Sequence, residues 1–237
     1  MDPYCLKKLN IERRARRAAV LLTDIGDGRD RVIKEGDPVA GELGAVIASR
    51  FLSGQSGVAD IDGRPFFLNV HLPPPRLVVV GAVHISQALA PMAKFAGYDV
   101  EIVDPRTAFA TPDRFADVKL FAQWPQDYLK SHPLDAYTAV AAVTHDPKID
   151  DHVLEQALKA GCFYVGALGS RKTHATRVER LAALKLSESE IASIHAPIGL
   201  DIGAASPAEI AVAILAEVIK AFRARALRTL PKLEKSA

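Results

Sequence analysis

The sequence predicts an α/β protein: a Rossmann-like domain built on a mostly parallel sheet, preceded by a smaller α+β domain. Three observations carry this. Beyond residue 76, short unbroken apolar runs such as Leu77–Val80 alternate with stretches of helical spacing, the pattern of βαβ units. Before it, alternating segments flank Asp62-Gly63, a hairpin signal. Between the two lies His71-Leu72-Pro73-Pro74-Pro75, which can continue neither a helix nor a central strand. The linker at 71–76 thus separates a domain of residues 1–72 from one of 76–237.

Residues 4–17 read as a basic amphipathic helix whose Arg13, Arg14, Arg16 and Arg17 form a solvated face. Residues 18–25 (AAVLLTDI) form a buried strand stopped at Gly26-Asp27-Gly28, 39–52 has helical spacing, and 58–72 is the hairpin. In the second domain the strands fall at 77–80, 100–103, 118–121, 139–143 and 163–165. Helices follow the first strand as far as Gly97, and again at 150–160 and about 170–184. The last helix is the best marked: Ser206 caps it, Pro207 suits its first position and Glu209 completes a capping box. Ile210, Ile214, Val218 and Phe222 then repeat every fourth residue as a core stripe. The tail, PKLEKSA, reads as frayed.

Composition narrows the function classes. Thirty basic residues stand against 28 acidic ones, too small an excess to suggest nucleic acid. No run approaches the roughly 18 apolar residues of a membrane span, and MDPYCLKKLN lacks the apolar core of an export signal, so a cytoplasmic location is expected. Two cysteines, Cys5 and Cys162, cannot build a four-thiolate zinc site, and Cys162 opens an apolar run as a core residue does.

Ligands of doubly wound sheets bind outside the carboxyl ends of the strands, and the distinctive segments sit there. After the first strand comes Gly81-Ala82-Val83-His84-Ile85-Ser86. A dinucleotide fingerprint wants glycine at 81, 83 and 86, and only Gly81 fits, though the following helix terminus still favours an anion. Asp104 lies 23 residues beyond Gly81, a spacing suited to a ribose hydroxyl, and Arg106 suits a phosphate; a helix cap beside a surface arginine explains the pair equally well. Thr144-His145-Asp146 displays polar side chains directly after a strand, either as a cap for the helix beginning near Asp150 or as a site where His145 and Asp146 bind or relay a proton.

Gly166-Ala167-Leu168-Gly169-Ser170-Arg171-Lys172 places two cations at a helix start, unfavourable alone and sensible beside an anion; its glycine–lysine spacing is not that of a P-loop. His195 and the loop holding Gly199 and Asp201 precede the capped helix, either as ligand contacts or as a connector. His84, His145 and His195 could meet at this edge, but their spacing matches no metal-ligand pattern, so a metal stays unassigned.

The chain resembles the XdhC/CoxI family through GAVHISQALA (81–90), DPRTAFAT (104–111), THDPKID (144–150), YVGALGSRKTH (164–174) and IHAPIGLDIGAASPAEIAVAILAE (194–217), nearly all of residues 76–237. The resemblance implies a Rossmann domain and a non-catalytic role in maturing xanthine dehydrogenase-type molybdoenzymes. Such a protein binds the molybdenum cofactor, a pterin with a phosphate tail, while a cysteine desulfurase-type partner supplies the sulfido ligand. It then assists insertion and often forms homo-oligomers. Longer relatives carry a Gly-Gly-Cys segment that this sequence lacks. An NAD(P)-dependent oxidoreductase, or a protein-only scaffold with a vestigial nucleotide site, are the alternatives.

Overall fold

The computed structural model describes residues 2–227, with side chains described through residue 224. The expected frayed tail lies outside the described residues. The described chain divides into two compact units: residues 2–73 with the chain from Arg223, and Pro74–Phe222.

In the first unit α1 (Pro3–Arg14) starts at Asp2, whose carboxylate accepts from the Tyr4 N–H. Strands β1 (Ala19–Asp24), β2 (Asp30–Lys34), β3 (Gly57–Ile61) and β4 (Arg64–His71) form an antiparallel sheet in the order β2-β1-β4-β3, and α2 (Gly41–Ser53) lies against β1, β3 and β4. Cys5 and Leu9 of α1 pack with Ala19, Leu21 and Val32. The Asp62-Gly63 turn has positive φ at both residues, which matches the right-handed twist of the strands it joins. The amphipathic helix ends three residues earlier than the sequence suggests, because Arg16 turns left-handed at φ 52°.

The second unit carries a five-stranded parallel sheet of β5 (Arg76–Val80), β6 (Asp99–Val103), β7 (Lys119–Phe121), β8 (Thr138–Ala142) and β9 (Tyr164–Ala167). Its order is β7-β6-β5-β8-β9, the strand order of a Rossmann fold, and the expected α/β class is what the chain adopts. Leu77, Val78, Val79 and Val80 are each fully buried, which is why that run shows no alternation: helices cover both faces. On one face α3 (His84–Phe95) and α8 (Pro207–Leu227) pack on Leu77, Val79, Ala141 and Tyr164. On the other, α4 (Pro125–Ser131), α5 (Pro147–Lys159), α6 (Arg171–Ala183) and α7 (Glu188–Ala192) pack on Val78, Val80, Ala142 and Val165.

Parallel register pairs Val80 with both Val103 and Ala142, and Ala142 with Ala167. The strands therefore end together, and the loops beginning at Gly81, Asp104, Val143 and Leu168 leave from one edge. His195 makes a single parallel bridge to Gly166, just outside β9, where a sixth strand would lie. Ser206 and Glu209 form the expected reciprocal cap of α8.

Candidate functional site

Gly81 and Ala82 connect β5 to α3 at the switch point of the sheet. Gly81 has φ +123°, and a Cβ there would stand 2.9 Å from the Thr144 methyl and 3.2 Å from Val143, so only glycine lets the β5 and β8 ends close up. Ser86 is wholly buried and its hydroxyl donates to the Gly81 carbonyl, using the position where a dinucleotide fingerprint has glycine for an internal bond. Val83 precedes α3, and His84 is exposed at its first turn.

Asp104 is fully buried at the end of β6. Its carboxylate accepts from the Ala82 N–H at 2.7 Å, the Arg106 N–H at 2.9 Å, and the Arg106 guanidinium at 2.9 and 2.7 Å. Burial pushes this acid up, but those four donors outweigh it and hold it below the usual carboxylate range. Asp104 thus clamps the switch-point loop. It presents no oxygen to a ribose, while Arg106 remains one-third exposed and stacks over Phe109.

The loop after β8 makes a second cluster. The Thr144 hydroxyl donates to Asp150 at 2.6 Å and accepts from the Asp146 N–H. His145 is exposed with φ 64°. Asp146 caps α5 and Pro147 takes its first position, so the helix begins three residues before the expected Asp150. That extra turn sends Asp150 inward, to 1% exposure, and burial pushes its carboxyl up to about 6.

Ser170 caps α6, accepting from the Thr173 N–H, and Arg171 and Lys172 follow it in the first turn, both exposed. Neither of those cations has an ion-pair partner among the described residues. Between the first turns of α5 and α6 lies an open cavity of about 290 Å³, lined by His145, Asp150, Asp151, Lys172, Thr173 and Arg177 among others. Arg180, also on its wall, is held by Asp151 at 2.6 and 3.1 Å.

A third cluster lies on the α8 face. Glu217, midway along α8, accepts from Tyr164 at 2.7 Å and from the Gly199 N–H at 2.8 Å, and holds His195 Nδ1 at 2.9 Å. Gly199, at φ +92°, lets its loop touch the α8 backbone, where a Cβ would come within 3.0 Å of the Ile214 nitrogen. A Cβ on Gly166 would meet Ile198 at 2.7 Å. These two glycines serve packing here. Gly169 lies beside Thr173 before α6, and Asp201 is exposed.

The structure thus brings His145 and Lys172 onto one cavity, with Thr144 and Asp146 on either side of His145 in its loop. Gly81, Asp104 and Arg106 stand at the neighbouring switch point, and His195 is turned away onto the α8 face. Among the described residues no three His, Cys, Asp or Glu side chains come close enough to hold a metal, so the three histidines do not meet. Burial pushes the Cys162 thiol up to about 12, which leaves it un-ionised near neutrality. Asp150 and Arg177, which line the cavity, and Glu217, which ties the third cluster together, are not singled out by the sequence alone. No helix among the described residues is long and apolar enough to cross a membrane.

Fold and edge together define a Rossmann-type protein whose site-forming side chains gather at the carboxyl ends of parallel strands. The chain belongs to the XdhC family: the model of the XdhC Rossmann domain matches residues 77–218. It is 34% identical over 143 residues to the Molybdenum cofactor insertion chaperone PaoD of Escherichia coli, covering 60% of this chain and 39% of that protein. It is 32% identical over 149 residues to a Bacillus subtilis protein described as a probable xanthine dehydrogenase subunit, covering 62% and 43%. It is 31% identical over 159 residues to the Uncharacterized protein YqeB of Escherichia coli, covering 65% and 28%. The chain therefore spans less than half the length of these relatives. A crystal structure described as a xanthine dehydrogenase from Bacillus halodurans shares the fold, with TM-score 0.66 at 22% identity over 96% of this chain and 69% of that one.

Proposed function

We propose that this chain binds the molybdenum cofactor at the carboxyl edge of its parallel sheet and assists its insertion into a xanthine dehydrogenase-type molybdoenzyme. Sulfuration by a cysteine desulfurase-type partner while the cofactor is held, self-association and a cytoplasmic setting belong to the same proposal. The observation that carries it is the charge of the α5–α6 cavity: Lys172, Arg177 and Arg180 against Asp150 and Asp151, with Arg171 beside it. An excess of cations at strand ends suits a ligand with a phosphate tail. The relatives named as an insertion chaperone and as a xanthine dehydrogenase subunit support this reading.

In this reading Lys172, Arg177 and Arg171 hold the phosphate, Thr144, His145 and Asp146 border the ligand, and Asp104 and Arg106 fix the adjoining loop. The cofactor supplies the redox-active molybdenum once it reaches the client; the residues of this chain bind, orient and shield it. NAD(P) use is the second reading, favoured by the strand order. It lacks the ribose contact, since every oxygen of Asp104 is already engaged.

The test is anaerobic equilibrium binding of molybdenum cofactor beside NAD(P)H, on wild type and on the Arg171→Ala, Lys172→Ala double variant. Tight cofactor binding that the double variant loses supports the proposal. Saturable NAD(P)H binding alone transfers the chain to the oxidoreductase reading. Binding of neither leaves the protein-only scaffold.

A further inference from the structure

Within the α5–α6 cavity two buried ionisable side chains are left incomplete. Arg177 is 2% exposed; its Nη2 donates to the Leu168 carbonyl at 2.9 Å, but Nε and Nη1 have no hydrogen-bond partner among the described residues. Asp150 is 1% exposed; its Oδ1 accepts from Thr144, and Oδ2 has no partner among the described residues. Both residues line the cavity, and they do not bond each other. Leaving such groups unpaired is costly in other proteins, so a buried guanidinium and a buried carboxyl in the wall of one cavity mark a place for a ligand.

The pairing specifies the ligand. Two N–H donors of Arg177 and the Lys172 ammonium ask for acceptor oxygens with negative charge. The same donors rule against a bare cation, which would meet a guanidinium. Asp150 Oδ2 asks for a hydrogen-bond donor, or supplies one if it carries a proton. A phosphate monoester with one P–O–H meets both demands, since a single proton shared between the phosphate and Asp150 leaves the remaining oxygens for Arg177 and Lys172. The cavity exceeds the size of a phosphate group and leaves room for the first atoms of its ester.

We propose that this cavity is a phosphate seat, in which Arg177 and Lys172 hold the phosphate oxygens and Asp150 shares one proton with the bound group. It rests on the cofactor-binding reading above and locates the phosphate tail within it, away from the Gly81 loop where a dinucleotide would place its pyrophosphate. The charged and titratable groups facing Asp150 are His145 and Asp146 from the preceding loop, Asp151 from α5, Lys172, Arg177 and Arg180 from α6, and Arg106 from the loop after β6. Asp151 and Arg180 neutralise each other, and Arg106 is committed to Asp104. Of the groups named, Asp150 is the buried carboxyl with an unbonded oxygen, and the shared proton is assigned to it. Its raised pKa is consistent with that.

The test is calorimetric binding of inorganic phosphate to the full chain between pH 6 and pH 8. Wild type binds saturably, and its affinity falls several-fold between pH 7 and pH 8, as the one proton shared by Asp150 and the phosphate is lost. Lys172→Ala, an exposed position, weakens binding by about tenfold with an unchanged melting temperature. Asp150→Asn keeps the Thr144 bond and removes one of the two groups that share the proton, so its pH profile departs from that of wild type. Absence of saturable binding by wild type, or a pH profile that Asp150→Asn leaves unaltered, overturns the proposal. Uptake of molybdenum cofactor that saturating phosphate fails to weaken also overturns it as the seat of the cofactor's phosphate. Phosphate binding as described with no uptake of molybdenum cofactor would sink the cofactor reading and leave the seat standing. Cofactor uptake insensitive to both variants would do the reverse.

Discussion

Asp150→Asn should stabilise the folded protein near neutrality and fail to do so in acid. Asp150 is buried beneath the Thr144 hydroxyl, with Oδ2 unbonded. Burial raises its pKa from an ordinary 3.8 to about 6. Below pH 4 the carboxyl is protonated in both the folded and the unfolded chain, so its burial carries no ionisation penalty. Between pH 4 and 6 the unfolded chain releases the proton while the folded chain keeps it, and stability falls as pH rises. Above pH 6 the folded protein carries the full penalty. A rise of this size corresponds to about 3 kcal/mol at about 1.4 kcal/mol per pH unit, taken as an upper bound. Asparagine keeps an oxygen for Thr144 but buries an amide without a partner, at a cost of about 1 kcal/mol. The variant should therefore gain about 1–2 kcal/mol at pH 7.5 and lose about 1 kcal/mol at pH 4. Urea denaturation followed by circular dichroism, without phosphate in the buffer, measures the difference between variant and wild type at each pH. A difference that stays constant across this range would refute the reasoning, since a purely steric or hydrogen-bonding effect has no pH dependence.

Gly81→Ala forces a side chain into a φ of +123° and against Thr144, and should cost at least about 2 kcal/mol by the same urea assay; a neutral result would mean the β5–β8 contact is not tight. Asp104→Asn removes the charge that holds Arg106 and turns an acceptor of the Ala82 N–H into an amide, so a loss of about 3 kcal/mol is expected on chemical denaturation. Tyr164→Phe strips one donor from Glu217 while His195 and Gly199 remain, predicting a loss of about 1–2 kcal/mol without a change in phosphate binding, because that cluster lies on the α8 face. Arg171→Ala should leave the melting temperature unchanged, as an exposed side chain with no partner does, while weakening uptake of an anionic ligand.

The parallel sheet is legible in the sequence because its strands are short apolar runs buried on both faces. The cap of α8 is legible because Ser206, Pro207 and Glu209 mark it residue by residue. The expected start of α5 falls too late although Asp146-Pro147 is the same kind of cap, and the shift hides Asp150: counted from the true start it sits in the first turn, pointing inward. Arg177 is hidden by its charge. It lies four residues before Leu181, which is fully buried, so its position belongs to the core stripe of α6, and a charge on that stripe is the available signal. Glu217 is similarly lost within the apolar stripe of α8. Its role depends on Tyr164 and Gly199, 53 and 18 residues away, and no local pattern encodes those contacts. β2 and α4 escape a sequence reading because each is short and mostly polar, leaving little periodicity to detect. Asp104 stands at the right spacing for a ribose contact, but its partners, the Ala82 N–H and Arg106, become visible only with the loop geometry.

The most direct test of the account is anaerobic titration of the full chain with molybdenum cofactor, comparing wild type with the Arg171→Ala, Lys172→Ala variant and using NAD(P)H as the competitor. Wild type should take up the cofactor saturably, with uptake sharply weakened in the variant and undisturbed by NAD(P)H. Wild-type protein that takes up no cofactor, or that releases it when NAD(P)H is added, would contradict it.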